Sequence, residues 1–370
     1  KQSGAMALLK RLKPKRVSNQ QSDGARQMTM LRRLPKILRF VPGAAQDIRA
    51  YFLSMQYWLA GSDDNIANMV RWLVNRYAAG PRAVLRGTLD AKLPVDHPDL
   101  GLYHPRLKGR VTEDLAKLPG VSASRARKGR VGLLVMRSYV LAGDSGHYDG
   151  VIEALEAKGL EVVPAFASGL DARPAVERYF FKDDAPAVDA VVSLTGFSLV
   201  GGPAYNDAKA AEDMLVRLDV PYIAAHALEF QTLPEWEASD RGLQPVEATM
   251  MVAIPELDGS TGPMIFGGRP AMAKDDRAGD MEAHGDRAEL LAARVEKLIQ
   301  LRRTERAERK IGIVLFNFPP NAGATGTAAY LAVFASLFRT LTAMHEAGYD
   351  VEVPESEDDL RDRLLKGNAE

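Results

Sequence analysis

The side chains able to do acid–base or metal chemistry in this sequence are few and scattered. Among 370 residues there are six histidines and no cysteine, which excludes disulfides, thiolate zinc sites, iron–sulfur clusters and thiol catalysis. His147 follows Asp144 and Ser145 at the head of "DSGHYDGVIEALEA". An imidazole there could serve as a base or an axial metal ligand. Alternatively Asp144 or Ser145 caps a helix and His147 only hydrogen-bonds, and a lone histidine without fixed partners favours that second reading. His97 and His104 flank "PDLGLY"; with no third ligand at regular spacing, a loop fits this pair better than a metal site. His226 sits in an apolar run and reads as structural, whereas His284 and His345 fall on polar, surface-type segments. Neither a G-x-S-x-G elbow nor an H-E-x-x-H pair occurs.

Two glycine-rich stretches raise the question of phosphate. "SLTGFSLVGGPA" (193–204) and "NFPPNAGATGTAAY" (317–330) each follow an apolar run. A phosphate loop of the G-x-x-x-x-G-K-S/T kind needs its lysine to reach the terminal phosphates, and both stretches lack it. Neither has the G-x-G-x-x-G dinucleotide spacing, so ATP hydrolysis within these residues is not expected. A helix N-terminus with free amides at Thr325 to Thr327 would still suit a carboxylate or phosphate.

The elements that must position these groups are legible from periodicity. "RVGLLVMRSYV", "LEVVPAFAS", "AVDAVVSLT" and "VPYIAAHAL" are continuous apolar strands, alternating with the helices "HYDGVIEALEAKG", "ARPAVERYFF" and "AYNDAKAAEDMLVRL". Such alternation predicts a parallel sheet covered on both faces, a doubly wound, flavodoxin-like domain over 129–270 completed by "PMIFGG". Its loops gather at the carboxyl ends of the strands, where open α/β sheets bind ligands.

Upstream, 44–128 reads as a helical and irregular connecting region. Ile48, Tyr51, Phe52, Met55, Trp58 and Leu59 form one helical stripe expected to pack on a neighbouring helix. Gly61 supplies a stop and Ser62 an N-cap for a second helix, with Ile66, Met69, Val70, Leu73 and Tyr77 on one face. Residues 80–128 read as irregular. Downstream, 271–309 holds a charged helix expected to bridge domains. From 310 to 370 the strand "KIGIVLFNFPP", the helix "TAAYLAVFASLFRTLTAMHEAGY" and the strand "DVEVP" predict the start of a second α/β domain. The fold class is thus α/β, with a helical N-terminal segment before the sheet domain.

Net charge is zero, so nucleic acid is not an expected partner. Residues 1–40 nevertheless carry eleven Lys/Arg against the single acid Asp23. This basic arm over 1–43 suits an acidic partner or a membrane surface, or is a solvated linker, which its polar makeup favours. No apolar run approaches the ~20 residues of a membrane span. A cytoplasmic location is the default. The first Met is Met6, and the sequence reads as an internal piece of a longer protein.

Several blocks together carry a resemblance: "LPKILRFVPGAAQDIRAYFLSMQYWLAGSDDN", "GDSGHYDGVIEALEAKGLEVVPAFASGLD", "SLTGFSLVGGPA", "LDVPYIAA", "PELDG" and "FPPNAGATGTAAYLAVFAS". In order and wording, from about residue 30 to about residue 353, the chain resembles the large-subunit family of magnesium chelatases and aerobic cobaltochelatases. It is nearest the large porphyrin-binding component of the bacteriochlorophyll-type magnesium enzymes. The resemblance implies a porphyrin-binding subunit that inserts Mg2+ into protoporphyrin IX. ATP would be used through partner subunits, a AAA+ motor and its bridging subunit, and the location would be cytoplasmic, peripheral to a photosynthetic membrane.

The family's chelation block, a His/Gly-rich stretch followed by a glutamate, has no match in residues 1–370. No catalytic residue is therefore assigned and the metal ligands are left unknown. The expectation is that strand-end loops line part of the porphyrin cleft, through His147, Thr195, Phe197, Gly201, Gly202, Asn321 and Thr325. Phe197 would stack on the macrocycle, and His147 or the amides near Gly201 would meet a propionate. The alternative is that these loops only support packing. At the level of function the alternatives are a cobaltochelatase subunit acting on a corrinoid precursor, or a non-catalytic small-ligand module.

Overall fold

Apolar runs that do not alternate with polar residues have no solvent-facing side, and after Arg130 they assemble into a sheet buried on both faces. A computed structural model describes residues 35, 37–38, 42–43, 45–121, 128–202, 205–271, 279–317, 325–326 and 330–367. Helices α1 (Ala45–Ala60) and α2 (Asp63–Tyr77) come first, then the short strands β1 (Leu100–Tyr103) and β2 (Val111–Thr112). Next are β3 (Arg130–Leu134), α3 (Arg137–Ala142), α4 (Gly146–Ala157), β4 (Glu161–Ala167), α5 (Arg173–Tyr179) and β5 (Ala190–Ser193). They lead to α6 (Ala208–Leu218), β6 (Tyr222–Thr232), α7 (Leu233–Glu237), β7 (Met264–Arg269) and β8 (Glu282–Ala283). Helices α8 (Gly285–Arg303), α9 (Val333–Glu346) and α10 (Glu357–Lys366) follow. The described residues fall into two compact units divided between Ala293 and Arg294, inside α8.

The sheet has eight strands in the order β8-β7-β6-β5-β3-β4-β1-β2. Its five central strands are parallel, and β8 and β1 join them antiparallel on either side, with β2 outside β1. Taken in chain order, the parallel strands lie 2-1-3-4-5, the flavodoxin-like order with its switch point between β3 and β5. Val131, Leu133, Val163, Val191 and Val192 are all inaccessible to solvent. Gly132 of β3 lets Phe180 lie on the strand, since a Cβ there would come within 2.7 Å of its ring.

The connecting region corrects the expectation in two ways. First, 80–128 is not wholly irregular: β1 and β2 extend the sheet beyond β4. Second, the stripe expected to pack on a neighbouring helix is not the face of α1 that is buried. Ala50, Leu53, Tyr57 and Ala60 are, on the opposite side, while Tyr51 and Trp58 remain exposed. In α2 the buried residues are asparagines, Asn65 and Asn68, not the apolar set. The Asn65 amide donates to Val95 O and accepts from Val95 N, both at 2.9 Å. Asn75 treats Leu89 the same way, at 2.6 and 2.9 Å, and Asn68 Oδ1 accepts from Lys92 N at 3.1 Å. Side-chain amides here replace a neighbouring strand and satisfy the extended backbone of 89–95. Gly61 in the left-handed region and the Ser62 cap, 3.3 Å from Asn65 N, are as the sequence indicates.

Two further elements differ. "RVGLLVMRSYV" stops being a strand at Leu134, and Arg137 onward is helical. In the unit from Arg294, α9 begins at Val333 rather than near Thr327, and no ladder forms at 311–316 or 350–354 among the described residues. Asn317 and Thr325 make one isolated bridge there. An apolar run becomes a strand only when another strand takes up its backbone hydrogen bonds, and among the described residues none pairs with either segment.

Candidate functional site

The switch point places the ends of β3, β4 and β5 side by side, and a cleft opens above them. It is lined by Met136 after β3, Gly169 and Leu170 after β4, and Thr195, Phe197 and Ser198 after β5. Its volume is about 20 Å3, room for a single water molecule. A macrocycle does not enter it. This edge exposes two apolar side chains, Leu170 at 41% and Phe230, near the end of β6, at 52%, beside the ion pair of Asp171 with Arg173. Sequence reasoning missed both, because exposure of an apolar residue has no sequence signature.

The loop after β5 is tied down internally. Thr195 Oγ1 accepts from Phe197 N at 3.3 Å and lies 3.0 Å from Ser193 Oγ. Ser198 Oγ donates to Asn206 Oδ1 at 2.7 Å and accepts from Val200 N at 3.2 Å. Leu199 N donates to Asp258 Oδ2 at 2.8 Å, and Gly201 N donates to Leu170 O at 2.8 Å. Gly201 and Gly202 pair with Asn206 and Tyr205 in a two-residue ribbon. Gly201 has φ +125, and a Cβ on it would sit 2.2 Å from Tyr205 O. These glycines therefore admit the chain's own backbone, and the Gly201 amide expected to meet a propionate is already committed. Thr195 and Phe197 are half-buried on the cleft wall.

Asp258 is the functional-looking residue that sequence reading passed over. It ends the helical stretch Ile254–Leu257, is 2% exposed and holds the loop through Leu199. Burial raises its carboxyl above the usual range, against the opposing pull of Ser198, the Leu199 amide and Asn206. Its marks in the sequence were its place in the block "PELDG" and an acid where a solvated turn is the default.

His147 does not line the cleft. It is 1% exposed, stacked on Phe266 with centroids 5.8 Å apart and edge-on to Tyr139 at 5.1 Å. Desolvation, helped by Arg269, pushes its pKa down to about 3, which holds the ring neutral. Ser145 occupies the cap position without a side-chain cap bond, and Asp144 Oδ1 instead accepts from Met281 N at 2.5 Å. His226 is buried in β6, and desolvation lowers it to about 4.

His104 Nδ1 accepts from Arg106 N and its Nε2 faces Glu156 Oε1, each at 3.2 Å, so it is not a ligand. His284 pairs with Glu237 at 2.8 Å. No cluster of three or more His, Asp or Glu able to hold a metal occurs among the described residues.

The remaining candidates divide. Thr325 lies in the unit after Arg294, bridged to Asn317 and not at a helix N-terminus. Asn321 lies outside the described residues. Of seven candidates, the structure brings together Thr195, Phe197, Gly201 and Gly202 on one loop.

Fold and edge define a doubly wound α/β unit of flavodoxin-like order, whose loop after β5 is closed on itself. A family described as CobN/Magnesium Chelatase matches residues 55–370, and a domain of unknown function, DUF3479, matches residues 1–52. The chain belongs to the CobN/magnesium chelatase family. It is 54% identical, over 99% of its length, to the magnesium-chelatase H protein of Cereibacter sphaeroides, covering 31% of that protein. It is 39% identical, over 95% of its length, to the chloroplastic magnesium-chelatase protein ChlH of Oryza sativa subsp. japonica, covering 26% of it. Among solved structures, the catalytic subunit of cobaltochelatase from Mycobacterium tuberculosis shares the fold, with a TM-score of 0.57 and 22% identity. That likeness covers 81% of this chain and 23% of the other. The chain spans about a third of the length of the curated relatives it matches.

Proposed function

We propose that these residues form part of the large, porphyrin-binding subunit of an ATP-dependent magnesium chelatase, which inserts Mg2+ into protoporphyrin IX in bacteriochlorophyll biosynthesis. The observation that carries the reading is the 54% identity to a magnesium-chelatase H protein across 99% of the chain. Mg2+ sheds its water reluctantly and prefers oxygen ligands. Placing it among four ring nitrogens therefore needs an energy source, a base for the pyrrole protons and a dry cleft. The missing phosphate-loop lysine supports the division of labour in which a AAA+ motor subunit and its bridging subunit use the ATP. The protein works in the cytoplasm, peripheral to the photosynthetic membrane; no helix among the described residues is long and apolar enough to cross one.

Within this scheme the described residues act as one wall. The β3–β4–β5 edge is a rigid support, since Asp258, Leu170 and the Tyr205–Asn206 ribbon fix the loop after β5. Phe197 and Leu170 offer apolar surface to a ring, while the cleft they line is too small to admit it.

The test titrates protoporphyrin IX and a corrinoid precursor separately into this chain and into the full-length protein, following tryptophan quenching. Tight binding of protoporphyrin by the full-length protein, with little by these 370 residues, is the expected outcome. Preference for the corrinoid would replace the magnesium reading by a cobaltochelatase one. If the short chain does bind, Phe197→Ala should weaken it, and unchanged affinity removes Phe197 from the wall.

A further inference from the structure

Helix α1 is apolar on two opposite faces. Ala50, Leu53, Tyr57 and Ala60 are buried and account for one side. At 3.6 residues per turn, Ile48, Tyr51, Phe52, Met55, Trp58 and Leu59 fall on the other, where Tyr51 is 61% and Trp58 63% exposed. A contiguous aromatic patch on a surface marks a place where something docks, and Tyr, Trp and Met are the side chains that interface centres favour.

The rim argues against a lipid surface. Asp47 at the start of α1 is held by Arg76 and Tyr77 of α2, both at 2.9 Å. Asp63 and Asp64 open α2 beside the other end of the stripe. Anionic membranes select clustered lysine and arginine; here Arg76 is paired with Asp47, and Asp63 and Asp64 are acidic.

Two findings point to the occupant. The two family matches meet inside α1, one ending at residue 52 and the other starting at residue 55. The chain also covers only 31% of the length of its 54%-identical relative, so such relatives carry polypeptide that these residues do not contain. We infer that the open face of α1 is an interdomain face, covered in the longer protein by polypeptide outside these 370 residues. The inference rests on the family match and is independent of whether magnesium or cobalt is inserted.

The experiment compares this 370-residue chain with the full-length natural protein. With Trp72→Phe and Trp236→Phe, Trp58 is the sole indole of the short chain. Its emission should be that of a water-exposed ring, readily quenched by acrylamide. In the full-length protein, footprinting of Tyr51, Met55 and Trp58 by hydroxyl radicals, read by mass spectrometry on unsubstituted chains, should show a several-fold loss of oxidation relative to the short chain. Trp58→Ser should leave the melting of the short chain unchanged and lower that of the full-length protein. Equal oxidation of the three side chains in both proteins overturns the inference. So does protection in the short chain that grows with its concentration, which would indicate a second copy. Protection appearing only with vesicles of anionic lipid would overturn it in favour of a membrane.

Discussion

Acid should destabilise the sheet domain through two histidines that never contact solvent. His147 and His226 are each 1% exposed, and desolvation holds their pKa values down to about 3 and about 4. In the unfolded chain an imidazole titrates near ~6.5. Below that value the unfolded state binds protons that the folded state refuses, so stability falls as pH falls, and above it neither histidine contributes any slope. Each pH unit is worth about 1.4 kcal/mol per group. Between pH ~6.5 and ~4.5 the pair should therefore remove roughly 5 kcal/mol, comparable with the whole stability of many domains. The assay is urea unfolding at a series of pH values for the natural chain and for His147→Gln with His226→Gln. Carboxylates, His97 and His104 titrate in both proteins, so the difference isolates the two buried rings. The double variant should be the less stable at neutral pH and lose the gap progressively on acidification. A difference between the two proteins that stays constant from pH 7.5 to 4.5 would refute the argument.

Three other outcomes follow from the packing. Gly132→Ala forces a methyl against the Phe180 ring, 2.7 Å away before relaxation, and should cost about 1–3 kcal/mol in thermal unfolding. Asn65→Ala strips both bonds from Val95 and should cost about 1–3 kcal/mol, with faster amide exchange at 89–95 by mass spectrometry. Asp258→Ala leaves the buried Leu199 N–H without its acceptor, a loss of about 1–3 kcal/mol. Limited proteolysis should then cut within 194–202, and Asp258→Asn, which keeps an acceptor, should restore most of the protection.

The parallel sheet was legible because strands buried on both faces must be apolar at every position, and Val131, Leu133, Val191 and Val192 are. Gly61 and Ser62 were legible for the same local reason: a left-handed turn and a cap are decided by one or two residues. The asparagines of α2 were not. Asn65, Asn68 and Asn75 look like ordinary polar helix positions until the segment 89–95 lies beside them. Nor was β1, whose four residues become a strand only because β4 offers an unpaired edge. At the candidate site, the glycines of "SLTGFSLVGG" correctly marked a close approach, but what approaches is the backbone of Tyr205 and Asn206.

Residue types and their periods, by themselves, determined the α/β class, the succession of strands and helices from 130 to 269, the absence of a phosphate-loop lysine and the family resemblance. These are properties of composition and local spacing, which need no knowledge of neighbours. Only the tertiary structure decided that His147 is a neutral ring inside an aromatic nest, that Asp258 holds the loop after β5, and that α1 turns its aromatic stripe outward. Each of these depends on which surfaces meet across tens or more of residues. A side chain's burial, and with it its charge and its freedom to bind, is set by those long-range contacts rather than by the residues on either side of it.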